Sequence, residues 1–196
     1  METNLTRAEA WKLLNEYNKS EALIRHALTV EGVMRHFARI YQPDAEEKWG
    51  IIGLLHDIDF EMYPEEHCQK ARKILSREGW PEEYIRAVES HGWGICSEVE
   101  PQTDLEKVLF TIDELTGLIA ATALMRPSKS ILDTGLSSVK KKWKQKSFAA
   151  GVNREVIEQG AAKLGMDMDR VMEETIAGMQ KVADAIGLAG NPPQVK

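Results

Sequence analysis

Apolar positions recur along nearly the whole chain at intervals of three and four, the spacing of a helix lying against a core, and no alternating strand pattern competes with it. Thr6 and Glu9 stand at the spacing of a capping box, which predicts a first helix over about Arg7 to Tyr17. After Ser20, a single stripe holds Leu23, Ala27, Val30, Val33, Met34 and Phe37, with His26 inside it. At about 100° per residue His36 is rotated by roughly 80° from His26, so it is expected on the solvated surface. Pro43 and Asp44 open a third helix, with Ala45, Trp49, Ile52 and His56 on one side, ending near the His56-Asp57 pair. Pro64, Glu65 and Glu66 read as the first turn of a fourth, whose inward face carries His67, Ala71, Ile74 and Leu75 before Gly79 and Pro81 stop it.

A fifth helix starts at Pro81 and aligns Ile85, Val88 and His91. Thr103 and Glu106 form a second capping box, opening a long helix through Leu105, Val108, Leu109, Ile112 and Asp113 that Pro127 closes. Leu136, Val139 and Trp143 mark one face of a basic helix, and two C-terminal helices are expected over about Asn153 to Leu164 and Met168 to Ile186. The fold expected is all-α. Residues 1–188 read as a single domain, with a core at about 20–125, a C-terminal helical extension at about 128–188, and a flexible tail over 189–196.

Composition narrows the function classes. The 196 residues suit one compact domain, and 43% hydrophobic with 29% charged residues describes an ordinary soluble globular chain. Lys and Arg number 25 against 31 Asp and Glu, a net charge of −6 that gives no global attraction for nucleic acid or anionic membrane. The longest weakly polar stretch, Leu115 to Met125, is far short of the roughly 20 apolar residues of a spanning helix. The N-terminus lacks the basic start and apolar run of a secretory signal, and Cys68 and Cys96 form no CxxC motif, so a reducing, cytoplasmic setting is expected.

The chemistry-bearing pattern is His26, the adjacent His56-Asp57, His67, His91 and Asp113, each on an inner face or at the end of an expected helix. Imidazole nitrogens with carboxylate oxygens and no thiolate suit Fe, Mn, Co, Ni or Zn in an open, reactive site rather than a structural zinc knot. Neighbouring helical residues diverge by about 100°, so His56 and Asp57 reach one site only where the helix end points at it. Asp57 then has two oxygens with which to bridge two ions.

In His26, Leu54-Leu55-His56-Asp57-Ile58 and Ile112-Asp113, over about Leu23 to Leu118, the chain resembles the HD superfamily of metal-dependent phosphohydrolases. The resemblance implies an all-α HD-domain bundle, to which the C-terminal helices expected from the apolar pattern are additional, since they carry no generic motif of the family. It further implies a first divalent ion held by His26, His56, Asp57 and Asp113, and a second held by His67 and His91 beside the bridging Asp57, as in the binuclear branches. Ile58-Asp59-Phe60 follows the His-Asp pair where Ile-Gly-Lys is often seen, and there is no Gly-Tyr-Pro element, which disfavours a cyclic-di-GMP phosphodiesterase. The ligand order is similar to that of the branch hydrolysing dinucleoside polyphosphates and also to that of HD-type di-iron oxygenases. The function expected is hydrolysis of a phosphate ester or anhydride of a small molecule, a nucleotide above all. The alternatives are a di-iron oxygenase and a non-catalytic nucleotide-binding regulatory module.

Around that centre, Asp57, Asp59 and Glu61 are the expected catalytic carboxylates, with Glu114 beside Asp113 as a further one. Arg126 and Lys129 are the expected substrate-phosphate contacts. The run Lys140 to Lys146 is the one strongly basic concentration, either steering phosphate or forming a solvated or oligomer face. Trp11, Trp49 and Trp80 read as packing. The partner expected is a small phosphorylated molecule, with neither nucleic acid nor membrane, and with a homo-oligomer open.

Overall fold

The computed structural model describes residues 6–192, and its described residues form nine α-helices and no strand. They are α1 (Arg7–Tyr17), α2 (Glu21–Tyr41), α3 (Glu46–Leu55), α4 (Gln69–Arg77), α5 (Glu82–Ser90), α6 (Asp104–Leu124), α7 (Leu136–Trp143), α8 (Arg154–Leu164) and α9 (Met168–Lys181). Both capping boxes are present: Thr6 with Glu9 starts α1, and Thr103 with Glu106 starts α6. Asn153 caps α8 through Val156 N, and Gly165, at φ +62°, ends it in the left-handed conformation that glycine adopts without a Cβ clash.

Helix α2 is the central column, lying against α3, α6 and α9, and the buried apolar side chains form one continuous interior from α1 to α9. Phe37, Met34 and Trp49 are among its largest members. Gly53 lets α3 lie close on α2: a Cβ there would stand 3.1 Å from the Val30 carbonyl oxygen and 3.2 Å from Glu31 Cα. That close approach carries His56, at the end of α3, toward His26 on α2. Buried Glu31 ties α1 to α2, accepting from Arg7 Nε at 2.6 Å and from Arg35 Nε at 3.0 Å. No helix of the described residues is long and apolar enough to cross a membrane.

Four expectations change. His67 lies outside any α-helix: Pro64–Glu66 make a 3₁₀ turn, His67 is extended at ψ 148°, and Cys68 sits at φ +66° before α4 begins at Gln69. The reason is Asp59, whose Oδ2 accepts from Ala71 N at 2.7 Å and so caps α4 from a remote loop. His36 is half-buried, not solvated, because α9 packs over it: Lys181 Nζ donates to its Nδ1 at 2.7 Å and its Nε2 donates to Glu174 at 2.7 Å. Helix α9 stops at Lys181, short of Ile186, and the following turns fold Ile186 and Leu188 back into the core. The tail expected to be loose from 189 is pinned at its start, with Ser130 Oγ donating to the Ala189 carbonyl and Asn191 N to the Ser128 carbonyl; residues 193–196 lie outside the described residues.

Gly53→Ala should destabilise the protein by about 1–3 kcal/mol through overpacking against α2, reversing the gain of about 0.5–1 kcal/mol that Ala ordinarily brings inside a helix. Urea unfolding of the two proteins gives the difference directly; an unchanged or raised midpoint would contradict the close-approach role.

Candidate metal centre

Six side chains from five separate segments meet at one end of the bundle. His26 comes from α2, His56 and Asp57 from the end of α3, His67 from the strained link before α4, His91 from the end of α5, and Asp113 from α6. His26 Nε2 lies 2.9 Å from Asp113 Oδ1 and 3.1 Å from His56 Nε2, which in turn is 3.3 Å from Asp113 Oδ1 and 3.4 Å from Asp57 Oδ2. On the other side His67 Nε2 and His91 Nε2 are 3.1 Å apart, and each stands 3.4 Å from Asp57 Oδ1. The two oxygens of Asp57 therefore face two different clusters.

The hydrogen bonds on the far sides of the rings orient them. His56 Nδ1 donates to the Gly53 carbonyl at 2.8 Å, His91 Nδ1 donates to the Val88 carbonyl, and His67 Nδ1 donates to Asp59 Oδ1 at 2.7 Å. Each bond places the proton on Nδ1 and leaves the Nε2 lone pair aimed inward. Lone pairs and carboxylate oxygens at such separations repel unless a cation stands among them. Donors about 2.1 Å from a common ion lie about 3.0 Å apart at right angles and about 3.4 Å apart at the tetrahedral angle, and the observed spacings of 2.9–3.7 Å bracket that range. The residues fit a divalent ion: His26, His56 and Asp57 form one donor set with Asp113 Oδ1 alongside, and His67 and His91 form another, faced by Asp57 Oδ1 and with Cys68 Sγ also within reach.

Electrostatics agree. Burial opposes a charge on His56, yet Asp57 and Asp113 raise its pKa well above 6.5; burial likewise opposes the two carboxylates, yet the histidines hold both below their ordinary range. Burial opposes a charge on His67 as well, and its bond to Asp59 raises it. Burial pushes Glu114 up. The hydrogen bond from Cys68, with His67 and His91 alongside, holds the Cys96 thiol down at about 6, and the same contact pushes Cys68 up.

A cleft of about 310 Å³ opens over the centre, walled by Phe60, Ile95, Phe110, Val152 and Val156, with Glu114 facing into it. Among its lining residues there is no Lys or Arg. Several expected roles change accordingly. Asp59 is fully buried, with both oxygens engaged by His67 and Ala71, so it positions a ligand instead of facing substrate. Glu61 turns outward, accepting from Lys19 N at 2.7 Å and Ser20 N at 3.0 Å. Arg126 is locked on Asp133 and Ser138, and Lys129 is exposed; α6 carries the chain about 16 Å past Asp113, at 1.5 Å per residue, before either is reached. In the basic run, Lys140 is paired with Asp169 and Lys142 lies over Phe148, while Lys144 and Lys146 flank a groove that shares Val152 with the cleft. Glu114 is the cleft carboxylate; its signal in the sequence is adjacency to Asp113. Val152 and Val156 carried no signal, since they arrive from the turn before α8 and from α8 itself.

The family model described as HD domain matches residues 23–118, a span that includes all six donors. No curated protein and no solved structure matches the chain.

In metal-free protein the raised His56 contributes stability that is present below about pH 6.5 and lost as pH rises through its folded value, while the depressed carboxylates contribute above about pH 4 and lose it on acidification. Thermal melts with chelator should therefore fall in Tm from about pH 6 upward. Added divalent metal should reverse the trend, because the ligands bind it after losing their protons. A flat metal-free profile would contradict the buried charge cluster.

Proposed function

Through residues 23–118 the chain belongs to the HD superfamily of metal-dependent phosphohydrolases, and on that premise we propose that it hydrolyses a phosphate ester or anhydride of a small molecule, of which a nucleotide is the foremost class. The observation that carries the reading is Asp57 turned between two donor clusters, one oxygen to each. His26, His56, Asp57 and Asp113 would hold one ion, and His67, His91 and Asp57 a second. When bound, the ions would act as Lewis acids on a phosphoryl oxygen and lower the pKa of water in the site toward neutrality.

The protein's own groups supply the remainder. The Nδ1 bonds hold the ring orientations, so no reorganisation is needed when substrate enters. Phe60, Ile95, Phe110 and Val156 exclude water and accept a flat or apolar body such as a base. Glu114, whose Oε2 accepts from Asn153 N at 3.1 Å, is the carboxyl placed to give its proton to a leaving oxygen. Because no Lys or Arg of the described residues lines the cleft, phosphate charge beyond the two ions would be met by Lys144 and Lys146 in the adjoining groove. Cytoplasmic residence suits such a substrate.

Protein purified without chelator should approach two ions per chain by elemental analysis, and Asp57→Ala should abolish phosphate release across a nucleotide and phosphoester panel while helical content stays unchanged. Phosphate release that survives Asp57→Ala, or oxygen uptake by anaerobically iron-loaded protein in its place, would overturn the hydrolase reading. Asp59→Asn should weaken binding of the second ion by about 10–100-fold through loss of the His67 orientation, read by competition with a chromogenic chelator. Replacing Lys144 and Lys146 together with Ala should raise KM for a polyphosphate substrate several-fold at low salt, with the effect fading as salt screens exposed charge within about 8–10 Å.

A further inference from the structure

The two cysteines lie far apart in sequence and meet beside the second donor cluster, with Cys68 Sγ 2.9 Å from Cys96 Sγ. Cys68 directly follows His67, and Cys96 belongs to the tight turn that His91 leads into. That separation is too short for two thiolates sharing an ion, which at about 2.3 Å from a tetrahedral centre stand about 3.8 Å apart. It leaves less than an ångström to a covalent S–S bond of about 2.05 Å.

Two backbone features hold the sulfurs there. Cys68 adopts φ +66°, a region a non-glycine residue enters only when its surroundings impose it. Gly92 lies under both sulfurs, and a Cβ at that position would overlap each of them. The turn is stiff, since the amides of Ile95, Cys96 and Ser97 all donate to the Gly92 carbonyl at 3.0, 3.0 and 3.1 Å. Access is unequal: Cys68 is 1% exposed, whereas Cys96 lines the cleft.

We propose that Cys68 and Cys96 are a redox modification site, closing to a reversible intrachain disulfide in the wall of the metal cleft when a peroxide or a small-molecule disulfide reaches Cys96. With peroxide, the Cys96 sulfur attacks one oxygen, the O–O bond breaks, and a sulfenic acid and one water result. The Cys68 sulfur then attacks the Cys96 sulfur, the S–OH bond breaks, and the oxygen leaves with the thiol proton as a second water. In total, two thiols and one hydrogen peroxide give one disulfide and two waters; sulfur loses two electrons and peroxide gains them. Formation of this bond does not depend on the hydrolase reading.

The experiment treats the full-length protein, as purified, with one equivalent of hydrogen peroxide and, separately, with oxidised glutathione, which yields no radicals with bound metal. The expected result is loss of both free thiols, an intact mass lower by two hydrogens, a Cys68–Cys96 cross-linked peptide after digestion, and full return of the thiols with dithiothreitol. Cys68→Ser should instead leave Cys96 as a sulfenic acid or a glutathione adduct, with no cross-link. Disulfide-linked dimers, irreversible sulfinic acid on Cys96 in the wild type, or two thiols that persist under both oxidants would each overturn the proposal. Phosphate release and metal content are read on the same samples, so failure of the hydrolase reading is seen independently of the disulfide.

Discussion

The structure depends on a forced crowding of electron pairs around Asp57. Four imidazole nitrogens and the oxygens of two carboxylates are held 2.9–3.7 Å from one another, in surroundings where burial amplifies like-charge repulsion. Without a metal ion, only protons held between the imidazoles and the carboxylates favour this arrangement. Three of the four rings are fixed from behind, by the Gly53 carbonyl for His56, the Val88 carbonyl for His91 and the Asp59 carboxylate for His67. These acceptors lie at helix ends or in a buried loop, so the cost of the crowding is spread into the packed interior.

That dependence explains features of the fold that otherwise look unrelated. Gly53 allows α3 to press on α2 and also supplies the carbonyl that orients His56. Asp59 fastens the start of α4 and the ring of His67 with its two oxygens, so the cap of a helix and the orientation of a ligand are one interaction. The strained backbone at Cys68 follows from it, since the chain must turn sharply between a ligand at 67 and a helix beginning at 69. The C-terminal segment, outside the matched HD segment, closes the cleft through Val152 in the turn before α8 and Val156 in α8, and ties back to α2 through Glu174 and Lys181 on His36.

Much of this was legible from local pattern. Capping boxes at Thr6 and Thr103, the stripe holding His26 and the helix ending at His56-Asp57 are interactions spanning one or two helical turns, where spacing and geometry are nearly the same thing. His26, His56, Asp57, His91 and Asp113 are legible for the same reason, since periodicity marks an inner face or a helix end; His67 is on neither, and Asp59 sets its place. Arg126 and Lys129 lie away from the cleft because proximity in sequence to the helix that carries Asp113 is not proximity in space once α6 runs on for three turns beyond it. His36 was misread because its partners, Glu174 and Lys181, arrive from the far end of the chain.

By itself the sequence determined the all-α class, most of the helix bounds and a set of candidate donor side chains, because these follow from periodicity, capping and donor chemistry acting over a few residues. Tertiary structure alone decided that Asp59 holds the His67 ring while Glu114 faces the cleft, that no Lys or Arg of the described residues lines it, and that two distant thiols meet beside His67. Each of these is a distance between segments whose separation along the chain carries no information about their separation in space. Only the packing of helix on helix sets it.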